Sequence, residues 1–315
     1  MSAFESIDSS LDKGSENERN THSVLSVPNV IGCKLVMQDF IILYEVEIRV
    51  SVFGGIFFAM ALWELVAPRR SLQVSKFVRW SSNIGILVIN TIILRLAFPA
   101  AAIGVSVFAA SHNWGLFNVL TWPIWVEVLL SVIVLDLVIY SQHVMFHAVP
   151  SLWRVHRIHH ADVDFDVSTG VRFHPIEILL SMLIKMVAVC VLGAGPLAVI
   201  VFELLLNGTS MFNHGNVRLP QLIDKFVRLV LVTPDMHRVH HSLVVGETNS
   251  NFGFNLSCWD RVFGTYQAVP GAGHESMIVG LEAFRELRRQ SLWDLLLMPL
   301  MDERGTYPFG RRESE

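Results

Sequence analysis

Long apolar stretches constrain this chain more than any other feature. Five stand out, at about 50–66, 83–110, 120–140, 176–192 and 196–212. Each is close to, or longer than, the ~20 residues that cross a hydrocarbon core as an α-helix. Across the sequence 52% of residues are hydrophobic and 17% charged, whereas a soluble domain carries about 25% charge. The expected fold is therefore all-α and integral to a membrane, with four to five apolar helices. Gly193-Ala194-Gly195-Pro196 separates the last two stretches. It is too short to cross anything and reads as the tip of a helical hairpin.

Loop charges orient these stretches. Arg69, Arg70, Lys76 and Arg79 follow the first, while 111–115 carries no Lys or Arg. The positive-inside rule puts the basic loop in the cytoplasm. Counting crossings from there brings 141–175 and 213–315 to the same cytoplasmic face. Arg95, Lys185 and Glu203 fit less well, because they fall inside apolar stretches where charge is costly. The pattern thus admits a re-entrant hairpin as well as a spanning one. Leu219–Thr233 and Leu281–Leu297 mix apolar and charged residues as helices on a membrane surface do. The expected organisation is a disordered or amphipathic tail over 1–47, a membrane-embedded domain over 48–267, and a surface helix with tail over 268–315. The first 25 residues lack the apolar core of a signal peptide.

Histidine is the other outlier. Of thirteen, most are bunched: His143-x-x-x-His147, His156-x-x-His159-His160 and His237-x-x-His240-His241. Positions i, i+3 and i+4 share a helix face, and neutral imidazole suits iron, zinc, copper and nickel. By chance, a chain of this histidine content would hold such a pentad about 0.02 times. His174 and His214 bracket the hairpin on the same expected face. This many histidines exceeds the three or four ligands of one zinc; two metals of four or five ligands each fit better. HExxH is absent, which argues against a zinc metalloprotease, and no Glu-x-x-His pattern marks a carboxylate-bridged bundle. The three cysteines form no CxxC pair, and a net charge of −4 gives no footprint for nucleic acid.

The order HxxxH, HxxHH, hairpin, HxxHH resembles the fatty acid hydroxylase/sterol desaturase superfamily. So do Asp136-Leu137-Val138-Ile139-Tyr140, Phe173-His174-Pro175-Ile176-Glu177, Asn213-His214-Gly215-Asn216, Asn251-Phe252-Gly253 and Trp259-Asp260-Arg261-Val262-Phe263-Gly264. The likeness covers about 120–267 and leans towards the alkylglycerol monooxygenase-like branch with its bacterial members. The resemblance implies two non-haem Fe ions that use O2. Their ligands would be His143, His147, His156, His159, His160, His214, His237, His240 and His241. Some members carry a second HxxxH ending where His214 stands; here its first position is Ser210. His174 is either the replacement ligand or a structural residue.

Ligating histidines usually give their second nitrogen to a carboxylate or carbonyl. Asp136, seven residues before His143 and inside an apolar stretch, is the favoured partner. Asp235, two before His237, and Glu177, three after His174, are candidates as well, but the reading as ordinary caps or surface charges is favoured for both. Asn213, Asn216, Asn249 and Asn251 are weaker candidates, and Trp153 and Trp259 read as interfacial anchors. The expected activity is hydroxylation of a lipid C–H bond: acyl, sterol, ether lipid or aminolipid. Desaturation by the same centre is the second reading, and a metal transporter the reading from another class. No GxGxxG fingerprint or cysteine cluster supplies electrons. The expected partners are a lipid substrate and a separate donor: a ferredoxin, a cytochrome b5-like protein or a reduced pterin.

Overall fold

The computed structural model describes residues 40–120 and 122–302. Most of the expected N-terminal tail and the last thirteen positions lie outside them. The described residues are helical, with isolated β-bridges only: α1 (Glu45–Val66), α2 (Lys76–Ala97), α3 (Ala101–Ser111), α4 (Leu116–Val119), α5 (Ile124–Ala148), α6 (Pro150–His160), α7 (Pro175–Leu192), α8 (Pro196–Asn213), α9 (Gln221–Val227), α10 (Pro234–His240), α11 (Val245–Thr248), α12 (Cys258–Val262) and α13 (Leu292–Leu297). Residues 40–43 are already helical, ahead of α1.

Five segments are long and apolar enough to cross a membrane: α1, the α2–α4 run, α5, α7 and α8. Their outward faces are apolar. Phe58, Leu65, Val66, Trp125, Val187 and Val191 are each more than 60% exposed. Water would not tolerate so continuous an apolar belt, whereas lipid does. The chain is a multi-pass helical membrane protein.

The expected second stretch is broken. α2 starts at Lys76, earlier than the apolar run, and ends before Phe98-Pro99-Ala100. Pro99 removes a helical hydrogen bond and restricts the residue before it. The hairpin is two helices of 18 residues each, about 27 Å long at 1.5 Å per residue. Proline opens both helices. Gly193 ends the first with φ +68°, a left-handed conformation glycine adopts without penalty. The tip packs against the 114–118 turn so closely that a Cβ on Gly193 would lie 2.9 Å from the Trp114 carbonyl oxygen.

The three ill-fitting charges find one another. Glu203 accepts from Lys185 and from Arg49, Arg49 also pairs with Glu45 at 2.9 Å, and Arg95 reaches Glu45 at 3.7 Å. Paired charges can remain in a bundle where single ones could not.

One end of the bundle gathers the helix termini. Glu64, near the end of α1, accepts from the Val167 and Asn216 backbone N–H groups. Arg79, near the start of α2, reaches Asp162 and Asp166. α5 and α8 run into His147 and His214, and α7 starts beside them. Residues 213–302 cover this end. α9 lies on the surface with Leu222, Ile223 and Phe226 exposed. The 281–297 stretch differs from the expected surface helix. It is a 3-10 turn, Leu287–Gln290, followed by α13. Ser291 caps α13 by accepting from the Asp294 N–H, and this restart breaks the helix. Leu281, Phe284 and Leu295 are buried against Ile86 and Trp153, so this part packs into the body.

Candidate metal centre

Short connections deliver the histidines to one point. His143 and His147 lie one turn apart near the end of α5. Val149 and Pro150 turn the chain into α6, whose last two turns carry His156, His159 and His160. His214 directly follows α8. Thr233 caps α10, which presents His237 and His240, with His241 just beyond.

The nine rings form two clusters, each with its donor atoms within 4.8 Å of one another: His143, His147, His156, His160 and His240 in one; His159, His214, His237 and His241 in the other. Each pentad is divided. The i and i+4 members of the first (His156, His160) join the five-histidine cluster, and its middle member, His159, joins the other. The second pentad does the reverse: His237 and His241 join the four-histidine cluster and His240 crosses over. The clusters share a wall, with His237 and His240 ring centroids 5.1 Å apart.

Within each cluster the Nε2 atoms converge. In the larger cluster, His143 lies 3.2 Å from His156 and 3.0 Å from His240, and His160 lies 3.1 Å from His147 and 3.2 Å from His156. In the smaller, His214 is 3.0 Å from His159 and 3.1 Å from His237. Two nitrogens bound about 2.1 Å from one metal at a right angle lie about 3.0 Å apart, so these contacts match the edges of a coordination polyhedron. Hydrogen bonding alone accounts for them poorly, since a neutral ring donates from one nitrogen only. His241 is fully buried, yet neither of its ring nitrogens has a hydrogen-bond partner. Such a group is expensive without a Lewis acid to receive it. The donor set therefore fits a pair of transition-metal ions.

Electrostatics agree. Burial holds His156 and His214 down to about 3. Burial first, then neighbouring imidazoles, holds His159, His160, His237, His240 and His241 well below the usual 6.5. Neutral rings offer lone pairs. Aromatic side chains close around them: Phe173 stacks on His159 at 4.5 Å, and Phe165 on His214 at 5.5 Å.

Five of the nine second nitrogens are fixed from outside. His143 Nδ1 bonds the Phe252 carbonyl at 2.8 Å, His240 Nδ1 the Ser250 carbonyl at 2.7 Å, and His214 Nδ1 the Ser210 carbonyl at 2.7 Å. His147 Nδ1 meets Asn249 Oδ1 at 3.2 Å, and His156 Nδ1 meets Glu177 Oε1 at 2.7 Å.

Several expected residues sit elsewhere. Asp136 touches no histidine. It accepts from the Asn255 and Leu256 backbone N–H groups and from Trp259 Nε1, at 3.3, 3.0 and 2.9 Å. Two helical turns put it about 10 Å below His143, beyond reach. It instead anchors the loop that carries Phe252. His174 belongs to neither cluster. It caps α7 by accepting from the Ile176 N–H, and its Nε2 faces the Leu296 carbonyl. Trp153 is buried against His147 and His160 rather than anchored at an interface, and Trp259 is tied to Asp136. Asp235 pairs with Arg238 and Arg69. Asn213 donates to the Phe254 carbonyl, Asn216 bonds Arg70 through both backbone groups, and Asn251, at φ +51°, bridges the Met236 and Gln267 carbonyls.

Sequence reasoning weighed Glu177 as a histidine partner but favoured an ordinary cap or surface charge, and it missed the network behind His160. Arg79 holds Asp162 at 2.7 and 2.8 Å and Asp166 at 2.7 Å, all fully buried. The signal was Asp162-Val163-Asp164-Phe165-Asp166, one residue beyond the pentad.

Comparison with known proteins agrees with this geometry. Residues 128–265 match the family model described as fatty acid hydroxylase. Ornithine lipid hydroxylase OlsE of Rhizobium tropici is 32% identical over 175 residues, covering 55% of this chain and 51% of OlsE. Human alkylglycerol monooxygenase is 28% identical over 178 residues, covering 54% of this chain and 36% of the relative. Cholesterol 25-hydroxylase of Rattus norvegicus is 26% identical over 160 residues, covering 48% and 52%. The chain thus spans about half the length of OlsE and about a third of alkylglycerol monooxygenase. No solved structure matches. The matched residues contain all nine clustered histidines, so the segment that builds this centre is the part of the chain similar to the fatty acid hydroxylase family.

Proposed function

We propose that this protein is a membrane monooxygenase that hydroxylates a lipid. The observation that carries the reading is the pair of adjoining histidine clusters, buried at one end of an apolar helical bundle. His143, His147, His156, His160 and His240 would hold one iron; His159, His214, His237 and His241 the other. When bound, this pair supplies the redox chemistry by which one atom of O2 enters a C–H bond and the other leaves as water. That balance needs two electrons and two protons, so a separate donor is part of the proposal: a ferredoxin, a cytochrome b5-like protein or a reduced pterin.

The protein's own contribution is to hold neutral imidazoles, orient them through carbonyl, amide and carboxylate partners, and keep water out with Phe165, Phe173, Phe252 and Trp153. The apolar helices bring a lipid to this end of the bundle. The names of the relatives favour hydroxylation over desaturation and point to an aminolipid, an ether lipid or a sterol. The charge of Arg69 and Arg70 beside the site favours the cytoplasmic face. A transporter would keep ionisable ligands near the midplane of several spans; here the histidines sit at helix ends.

The test is lipid mass spectrometry of cells expressing the wild-type chain or its His159→Ala variant. A lipid heavier by one oxygen, present only with the wild type, is the expected result. Loss of two hydrogens would replace hydroxylation with desaturation. Identical lipid profiles, with zinc moving across vesicles, would overturn both.

A further inference from the structure

Of the hydrogen bonds made by the nine clustered histidines, one ends on a carboxylate. Glu177, in the first turn of α7, accepts from His156 Nδ1 at 2.7 Å. It is 4% exposed and forms no ion pair with Lys or Arg among the described residues. A buried carboxylate needs compensation, and a histidine ring is the group this one faces. With Glu177 accepting, His156 carries its proton on Nδ1. Its Nε2 lone pair then points at His143 and His160. A carboxyl group in this position also fixes the tautomer and orientation of the ring.

The other cluster has no such support. The partner of His214 Nδ1 is a backbone carbonyl, and His159 Nδ1 has none. It is also one ring short. Ser210 stands one turn before His214, where a second helical imidazole would point inward, and its hydroxyl is spent on the Gly170 carbonyl at 3.1 Å. The clusters therefore differ twice, in ring number and in the carboxyl group that backs one ring.

We propose that Glu177 is a positioning residue that makes the two metal positions unequal, so that the five-histidine position holds its iron more tightly than the four-histidine position. This rests on the reading that both clusters hold metal.

The test uses the full chain in detergent, loaded with ferrous iron-57 alone. It measures iron per chain, release to a chelator over time, and the Mössbauer spectrum. The wild type should bind two irons, show two distinct quadrupole doublets and release iron in two phases. Glu177→Gln, which keeps shape and an acceptor oxygen, should speed the slower phase about 10–100-fold and shift one doublet. The other phase and doublet should stay as they were. Glu177→Leu should do the same more strongly. Both phases changing together would mean a general loosening of the fold and would overturn the proposal, as would no change at all. One doublet with single-phase release in the wild type would overturn the inequality while leaving the paired metal centre intact. No bound iron in the wild type would overturn both.

Discussion

His160 and His241 stack with ring centroids 4.6 Å apart and planes 19° from parallel, although they belong to different clusters. They form part of the wall between the two centres. Truncating either should therefore disturb both. In iron-loaded protein, His160→Ala is expected to lower the content from two irons to one or fewer and to alter the spectrum of whatever remains. His174→Ala, outside both clusters, should keep both irons. Its lost cap should cost about 0.5–2 kcal/mol, read as a lower unfolding midpoint. Iron loss in His174→Ala would return that residue to the ligand set.

Acid should weaken the metal-free protein. The unfolded histidines titrate near 6.5, whereas burial keeps His156 and His214 neutral down to about 3. Between those values the unfolded chain binds more protons than the folded one. Stability is thus full above 6.5 and falls as pH drops towards 3, by about 1.4 kcal/mol per pH unit for each such ring. Unfolding midpoints of metal-free protein from roughly pH 8 to pH 5 check this. A flat profile would mean that the rings are not buried neutral.

Asp136→Ala would strip an acceptor from three donors, the buried Asn255 N–H and the half-buried Leu256 N–H and Trp259 Nε1. Each orphaned group costs about 1–3 kcal/mol. The 249–257 loop should loosen, and with it the Phe252 carbonyl that fixes His143. A lower midpoint together with faster iron release is expected. Asp136→Asn, which keeps one acceptor oxygen, should lose less. Iron loss at an unchanged midpoint would point to direct ligation instead.

Arg79→Met would leave Asp166 buried without its cation and Asp162 with only the more distant Arg172, 3.9 Å away. Breaking such a pair from one side costs about 3–5 kcal/mol. Arg79→Lys should not rescue, because one ammonium cannot reproduce the fork that grips two carboxylates. Adding Asp162→Asn to Arg79→Met should recover part of the loss, so the two effects are not additive. Strict additivity would deny the coupling.

Gly193→Ala should cost about 1–2 kcal/mol from its left-handed backbone alone, and more from the close Trp114 carbonyl. Gly54, inside α1 with open space around its Cβ position, provides the control: alanine there should stabilise by up to about 1 kcal/mol.

The crossings and pentads were legible in the sequence because lipid thickness fixes helix length and helical periodicity fixes which histidines lie together. The limits had physical causes. Periodicity puts His156, His159 and His160 on one face, but that face meets two clusters, and the division depends on where α5, α8 and α10 pack. Asp136 looked like a histidine partner because an unpaired carboxylate in an apolar helix is costly. Its partners lie 119 to 123 positions onward, in a loop no local pattern aligns with it. Glu177 resembled an ordinary first-turn acid, and only the packing of α7 on α6 aims it at His156. The Arg79 pairing joins positions 83 apart and left only its acidic half visible.

The divided pentads also give the centre an order of birth. By the time residue 160 has been synthesised, the five-histidine cluster has four of its members and the four-histidine cluster has one. The remainder arrive with the hairpin and α10, and His240 and His241 are neighbours in the chain. A ribosome-bound chain stalled between 160 and 214 could therefore capture one metal but not the second. Completing the first site and finishing the second are then one event, the docking of a single short helix.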